Sequence, residues 1–445
     1  MAKEKRSLRK EQTEGELRSE DKVVRFGGRG SSISDDRPDD PDEDGAADNR
    51  RGFSVGMIVL ILIGGVILGL LAFYISKRSK VYNDYEVLSE TAGNDATRMT
   101  YEAYNDSLIK YSQEGITYLD KNGQAIWVES YKMKQPTAVI SDKYIAVADL
   151  NGNSVYIFNE DGRVNYMETP YTICNIDVAS QGVFAVVLEN ETENYIEIYD
   201  KNGQEIAKHR TTIADSGYPL DITLSNDGTK MMTSFITVNG VTVENSIAAY
   251  NYGDVGQNVA DRLVGGFNNL GDTIVPKIEF LSNDVVCAFG DDQFVVYSMR
   301  EKPSEKARID DFQGEIQSIF YNSKYVGVVE RSSTMLANDS GEDSLSPYLI
   351  KVYNTNGNLQ FSKPLEFVYN YLYATEDELV IVGMSECRIY DFNGRLKFSY
   401  SFPKEVVNLI PTGNPEQYIV VYDDSTQMIH LLYTEEEKDT QAQQN

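Results

Sequence analysis

Histidine is almost missing from this chain: two in 445 residues, His209 and His430. Neither a histidine metal cluster nor a repeated general base can be assembled from so few. Both fall in or beside outer-strand patterns, where a half-exposed structural role is expected. Cysteine is equally sparse. Cys174, Cys287 and Cys387 stand a hundred residues or more apart, each inside an apolar β-like run. That spacing excludes a disulfide framework and a zinc knuckle, leaving three buried free thiols as the expectation.

Tryptophan occurs once, at Trp127. The chain also lacks HExxH, GxSxG and GxxxxGK[ST] patterns, so no motif for a metalloprotease, a serine hydrolase or a phosphate loop is present. FGDDQF (289–294) carries paired acids, but no loop holds the ligand series of a calcium site, and a hairpin turn accounts for it. No cofactor and no metal is expected, and the chain reads as a non-enzyme.

Basic charge is in short supply. Forty-one Lys and Arg face 69 Asp and Glu, a net charge of −28. Most of the excess follows residue 75, where 29 bases against 55 acids leave −26. Binding nucleic acid through its phosphates needs the opposite sign. Acidity of this kind suits solubility, cations or basic partners.

One long apolar run is present. FSVGMIVLILIGGVILGLLAFYI (53–75) holds 23 residues without a charge. At about 1.5 Å per residue it reaches roughly 34 Å, enough for a hydrocarbon core of about 30 Å. It lies too far from the start, and lacks the small-residue cleavage site, to be a removable signal. A single transmembrane helix over 53–76 is expected, acting as an uncleaved signal anchor. Flanking bases (Arg50 and Arg51 before; Lys77, Arg78 and Lys80 after) slightly favour an outside N-terminus. The short, basic-starting tail and the large domain that follows favour the reverse. The expected topology is therefore a cytoplasmic tail and an extracytoplasmic C-terminal domain. Gly65 and Gly69 form a GxxxG spacing, the candidate contact for a helix homodimer.

Before the helix, residues 1–52 are polar, and DDRPDDPDEDGAAD (35–48) holds eight acids and two prolines. Such a segment cannot offset its ordering entropy, so a disordered cytoplasmic tail is expected. The acidic, Gln-rich end 435–445 reads the same way.

Between residues 81 and 434 a short pattern recurs: a strand ending in an aromatic, Asp or Asn, two residues, Gly, then another strand. It reads GITYLDKNGQAIW (115–127), VYIFNEDGRVNY (155–166), IEIYDKNGQEIA (196–207), IKVYNTNGNLQF (350–361) and CRIYDFNGRLKF (387–398). Degenerate copies fill the gaps at 246–254, 293–302 and 427–436. Asn-Gly and Asp-Gly tolerate positive φ, so each copy is a tight hairpin. Anchors at Tyr118, Phe158, Tyr199, Tyr250, Tyr297, Tyr353, Tyr390 and Tyr433 give eight units, each with two further strand-like runs before its hairpin. Four strands per unit around an axis is propeller arithmetic. The expected fold is all-β: an eight-bladed β-propeller, with seven blades as the alternative. The run VYNDYEVLSE (81–90) is placed to supply the outer strand missing from the last blade.

The first hairpin, Asp120 to Gly123 and Trp127, resembles the D-x-x-[ST/N]-G-x-x-x-W repeat of quinoprotein-type propellers. LSNDGTKMMTSF (224–235) is similar to the strand pair of TolB- and WD40-like propellers. The whole arrangement resembles single-pass propeller proteins of unknown function from Gram-positive bacteria. The other copies keep Asp or Asn and Gly but put His209, Phe361 or other residues near the Trp place. Without a set of tryptophans, the resemblance implies the non-catalytic assembly scaffolds of that group rather than the dehydrogenases.

One insertion breaks the pattern. SSTMLANDSGEDSLSP separates the strands YVGVVER (325–331) and YLIKVY (348–353). By strand order it emerges opposite the Asn-Gly turns, and Asp339, Glu342, Asp343 and Tyr348 are the candidate contacts for a protein or cell-envelope partner. The functional expectation is a membrane-anchored binding scaffold. Two alternatives stand beside it: a transmembrane sensor working through helix dimerisation, and a cofactor-using propeller enzyme.

Overall fold

The Asn-Gly hairpins are built by the side chain that opens them. Asp120 Oδ1 accepts the N–H groups of Asn122 and Gln124, each at 2.8 Å, and Gly123 N–H closes the turn onto the Asp120 carbonyl at 2.9 Å. Gly123 sits at φ 77°, where a side chain would be strained. Asp200 and Gly203 (φ 81°) repeat the geometry, and Asn354 and Asp391 open turns of the same form. The Gln124 N–H holds the Asp120 carboxyl below its ordinary range, and the Gln204 N–H does the same for Asp200.

In the computed structural model of the chain, the described residues are 60, 62–69, 81–92, 99–105, 107–214, 216–331, 335–337, 343–414 and 416–434. Residues 60 and 62–69 are helical, and among the described residues no helix is long and apolar enough to cross a membrane. The rest of the expected span 53–76, and both expected tails, lie outside them.

The hairpins assemble into eight four-stranded antiparallel sheets, which settles the blade count at eight. Blades 1 to 7 run in chain order: 100–130, 136–168, 172–211, 218–267, 277–309, 316–365 and 369–401. Blade 8 takes three strands from 408–432 and its outermost strand, Asp84–Ala92, from the beginning of the domain. That strand pairs from Asp84↔Leu432 to Ala92↔Ser425, with one bulge after Val87. Just before it, Tyr82 forms a parallel bridge to Phe398 on the outer edge of blade 7. Asn83 then accepts the Thr434 N–H at 2.9 Å through its side chain.

Buried apolar side chains group into eight clusters, and each cluster spans one junction between neighbouring blades. One of them joins Tyr101, Leu108 and Leu119 of blade 1 to Ile410, Ile419 and Val421 of blade 8, closing the ring. This clustering corrects two of the eight anchors. The other six, Phe158, Tyr199, Tyr250, Tyr297, Tyr353 and Tyr390, all belong to the cluster shared with the preceding blade. In blade 1 that place belongs to Leu119. Tyr118 points to blade 2, because strand faces alternate residue by residue. In blade 8, Ile429 and Leu431 are the inward residues, and Tyr433 lies just past the end of its strand.

The single tryptophan acts across a junction. Trp127 stacks on Phe158 of blade 2, ring centroids 5.4 Å apart, and donates its indole N–H to the Glu160 carbonyl at 3.0 Å. Phe361 takes the equivalent place at a later junction, packed over Gly394 so closely that a Cβ there would lie 2.8 Å from its ring.

Candidate functional site

The innermost strand of a propeller blade has one edge without a strand partner, facing the axis. Its N–H groups still need acceptors. Here side chains of the preceding blade supply several of them. Asp177 of blade 3 accepts the Leu224 N–H of blade 4 at 2.6 Å. Asp221 of blade 4 accepts the Ile278 N–H of blade 5 at 2.8 Å, and Thr223 accepts that of Phe280 at 3.0 Å. Across the ring, Tyr371 of blade 7 accepts the Leu409 N–H of blade 8 at 2.5 Å and donates to Asn408 Oδ1. Tyr373 donates to the Leu409 carbonyl.

These strands enclose an axial channel of roughly 1010 Å³, lined from all eight blades. Its walls differ. On the side of blades 3 to 6, Lys277 lies 2.9 Å from Glu279 and 3.4 Å from Asp221, with Asn175 donating to Asp221 at 2.7 Å. Burial disfavours the Lys277 ammonium, but Glu279 and Asp221 outweigh it and hold its pKa above the ordinary value. Asp177 touches the channel space yet is walled by protein. Burial, and then the charge of Glu279, push its carboxyl up to about 7, against the pull of Lys277 and two backbone N–H groups. On the side of blades 7 and 8 the wall is aromatic, with Tyr371 and Tyr373 stacked 6.3 Å apart. Glu102 of blade 1 also lines the channel; it accepts the Tyr111 hydroxyl at 2.9 Å, and burial raises its pKa.

None of these channel residues was singled out from the sequence. The signal was present as polar residues alternating within first strands that should otherwise be core: CNIDV (174–178), LDITL (220–224), KIEFL (277–281) and YNYLY (369–373).

The two ring faces are distinct. Asn-Gly turns join third to fourth strands on one face, and the chain also joins and leaves the ring there, at Asp84 and Leu432. The opposite face carries the connections between second and third strands. Two of these are long. In blade 4, Lys230–Asn239 and Thr242–Asn251 form a ribbon of ten residue pairs, reaching past the neighbouring strands. Val238, Val241 and Val243 are exposed at its tip. In blade 6 the insertion emerges on this same face, as its place between second and third strands requires. Its described parts, Met335–Ala337 and Asp343–Leu345, pair as a small hairpin where the sequence showed no pattern.

Of the candidate contacts, Asp339 and Glu342 lie outside the described residues, and Asp343 begins the second strand of that hairpin. Tyr348 is half-buried at the start of the next strand, edge-on to Tyr369 at 5.2 Å. Gly65 and Gly69 both fall on the helical stretch 62–69, with nothing within 4 Å of where a Cβ would stand.

His209 is on an outer strand, its Nε2 2.9 Å from the Tyr252 hydroxyl, and burial lowers its pKa. All three cysteines are free thiols. Cys287 and Cys387 are buried, but Cys174 is half-exposed and donates to Glu189 at 3.3 Å, because its strand is the innermost of its blade. Among the described residues, no group of three or more His, Cys, Asp or Glu could hold a metal ion.

Residues 78–431 match a family described as a family of unknown function (DUF5711). No curated protein matches the chain. Solved structures are similar in fold. Sqt1 from Chaetomium thermophilum, bound to the N-terminus of ribosomal protein L10, is 12% identical with a TM-score of 0.50, over 78% of this chain and 99% of that one. BamB from Moraxella catarrhalis is 10% identical with a TM-score of 0.48, over 78% and 100%. The WD40 domain of Neurospora crassa Pan2 is 10% identical with a TM-score of 0.41, over 68% and 90%.

Proposed function

Because the chain belongs to this family of unknown function, we propose from its own features that it is a non-catalytic binding scaffold, a propeller tethered to a membrane by the apolar run 53–76. The tail faces the cytoplasm in this reading, and the ring lies outside it. One observation carries the scaffold role: the face opposite both ends of the ring bears two extended hairpins, one tipped with exposed valines. An exposed apolar tip on a two-stranded ribbon is a recognition element rather than a stabilising one. Sqt1, which is similar in fold alone, holds a segment of another protein.

The test compares the two faces. A photoreactive residue at Val241 of the full chain in native membranes should crosslink a defined partner, and one at Lys121, on the turn face, should not. Crosslinks from Lys121 alone, or turnover by the purified chain, would remove the scaffold reading. Topology is tested separately. In a Cys174→Ser background, a membrane-impermeant thiol reagent should label Val241→Cys in intact cells; labelling only after lysis overturns the orientation.

A sensor is the second reading, resting on Gly65 and Gly69 sharing one side of a helical stretch with open space around both. Leucine at both positions should abolish self-association of the helix in a membrane; unchanged association would eliminate it.

A further inference from the structure

The ribbon of blade 4 has an edge that no strand of the ring covers. Its inner neighbour reaches Tyr218, opposite Ile236, and its outer neighbour ends at Phe267, opposite Ile247. From Thr242 to Ser246 the ribbon's second strand is therefore paired on one side only. Hydrogen bonding alternates along a strand, so the bare side of this stretch turns N–H and C=O groups outward. Exposed edges are ordinarily blunted by lysine, proline or a bulge. Here FITVNGVTVENS (235–246) holds no Lys and no Pro, and its register runs through ten pairs without a shift. The foot of the ribbon is held firm. Asn245 donates to the Phe235 carbonyl at 2.6 Å, and Ser234 donates to the Val275 carbonyl of the next connection at 2.7 Å.

Side chains alternate between the two sides of the ribbon. Met232 and Ile247 pack toward blade 5, while Met231, Phe235 and Tyr250 pack toward blade 3. Continuing that alternation, the facing pair Val238 and Val243 makes the blade 5 side apolar, and Thr237 and Glu244 lie on the blade 3 side. The surrounding charge has one sign. The connections 189–194, 268–276 and 290–293 open on this face and, with the tip 237–244, hold seven acids and neither Lys nor Arg. Arg210 meets one of these, Glu193, at 2.7 Å. Glu189, Glu191, Glu244, Asp272, Asp291 and Asp292 are exposed. Glu189 stands beside Tyr218 at the ribbon's foot, on the same side as Glu244.

We propose that the bare edge Thr242–Ser246 accepts an extended segment of a partner protein as an added strand, one in which β-branched apolar residues alternate with Lys or Arg. Main-chain hydrogen bonds to the edge hold such a segment, and its alternate side chains select it. Its apolar residues meet Val238 and Val243, and its bases meet Glu244 and the acidic connection of blade 3. A second copy of the chain fits less well, since its own ribbon brings Glu244 and no base. This inference rests on the scaffold reading and names the chemistry of its partner.

The probe is labelled acetyl-Lys-Val-Lys-Val-Arg-Val-Lys amide, titrated by fluorescence anisotropy against the full chain in detergent micelles. Saturable one-to-one binding is expected, weakened at least tenfold by Glu244→Lys and unchanged by Glu114→Lys, the same charge change on blade 1. Methylating the peptide's backbone nitrogens removes its donors, keeps every side chain and should abolish binding. Absence of saturation, binding that survives methylation, or an equal loss with Glu114→Lys overturns the proposal. Dimerisation of the chain that Val243→Lys abolishes also overturns it, assigning the edge to a second copy. The scaffold reading fails separately: a partner crosslinked at Val241 with undiminished yield in the Glu244→Lys chain leaves that reading standing and removes strand addition.

Discussion

The hydroxyl of Tyr82 donates to the Glu416 carboxylate at 2.6 Å, joining two positions 334 residues apart in the chain. Glu416 has φ 63°, a left-handed conformation unusual for a residue with a Cβ, and its carbonyl accepts the Leu431 N–H at 2.8 Å. Tyr82 also touches blade 7 through its backbone, so one residue ties the ring-closing strand to two blades. The carboxylate compensates for the strain of the backbone that carries it.

Removing that hydroxyl with Tyr82→Phe should lower stability by about 1 kcal/mol, a typical net worth for one hydrogen bond. Glu416→Gly should be near neutral in the wild-type background, losing the bond and releasing about 1 kcal/mol of strain. In the Tyr82→Phe background it should stabilise. Denaturant unfolding of the four chains gives the coupling directly; additive changes would show that the pair does not act together.

Deleting residues 81–92 leaves the strand Ser425–Leu432 as a bare edge and removes the parallel bridge to blade 7. The expected result is a chain that aggregates and no longer melts in one sharp transition, since unpaired edges recruit other chains. A monomeric product with an unchanged melting temperature, by light scattering and calorimetry, would contradict this.

Inside blade 6, Lys351 lies 3.1 Å from Glu330, and both are buried. Glu330 also accepts the Gln313 N–H at 3.1 Å. Lys351→Met strands a buried carboxylate and should cost about 3–5 kcal/mol. Adding Glu330→Gln should restore most of it, since the amide oxygen can still take the Gln313 N–H. Chemical denaturation of the single and double variants checks both values.

Burial, and then the charge of Glu279, push the Asp177 carboxyl up to about 7 in the folded ring, against 3.8 for a free side chain. The folded state therefore binds the proton more tightly, and this group's contribution to stability falls as pH rises from about 4 to about 7, then levels off. Asp177→Asn should remove that part of the slope. Melting temperatures of both chains across pH 4.5–8.5 test it, and parallel profiles would refute the assignment.

Much of the ring was legible because its hairpins are local. Asp120, Asp200 and Asp391 need nothing beyond their own next four residues to form a turn, so the repeat survives in the sequence. The outer strand of blade 8 was legible for a different reason: the last unit was one strand short. What escaped depends on neighbours distant in sequence. Tyr118 and Leu119 differ in which blade they face, and no local pattern says which. The channel was hidden for the same reason, since Asp177 acts on Leu224 and Tyr371 on Leu409. The Asn239-Gly240 turn was passed over because it joins second and third strands, where the repeat has no turn to compare with it.

Blade 8 has a consequence in time. During synthesis Ala92 leaves the ribosome long before its partner Ser425, 425 − 92 = 333 residues later. At about 5–20 residues per second the outer strand waits roughly 17–67 seconds with no edge to join. Seven blades can form in order while their neighbours are still being made, but the eighth cannot. A chain cut short anywhere before residue 425 is left with its first strand searching, and only a finished one can lock.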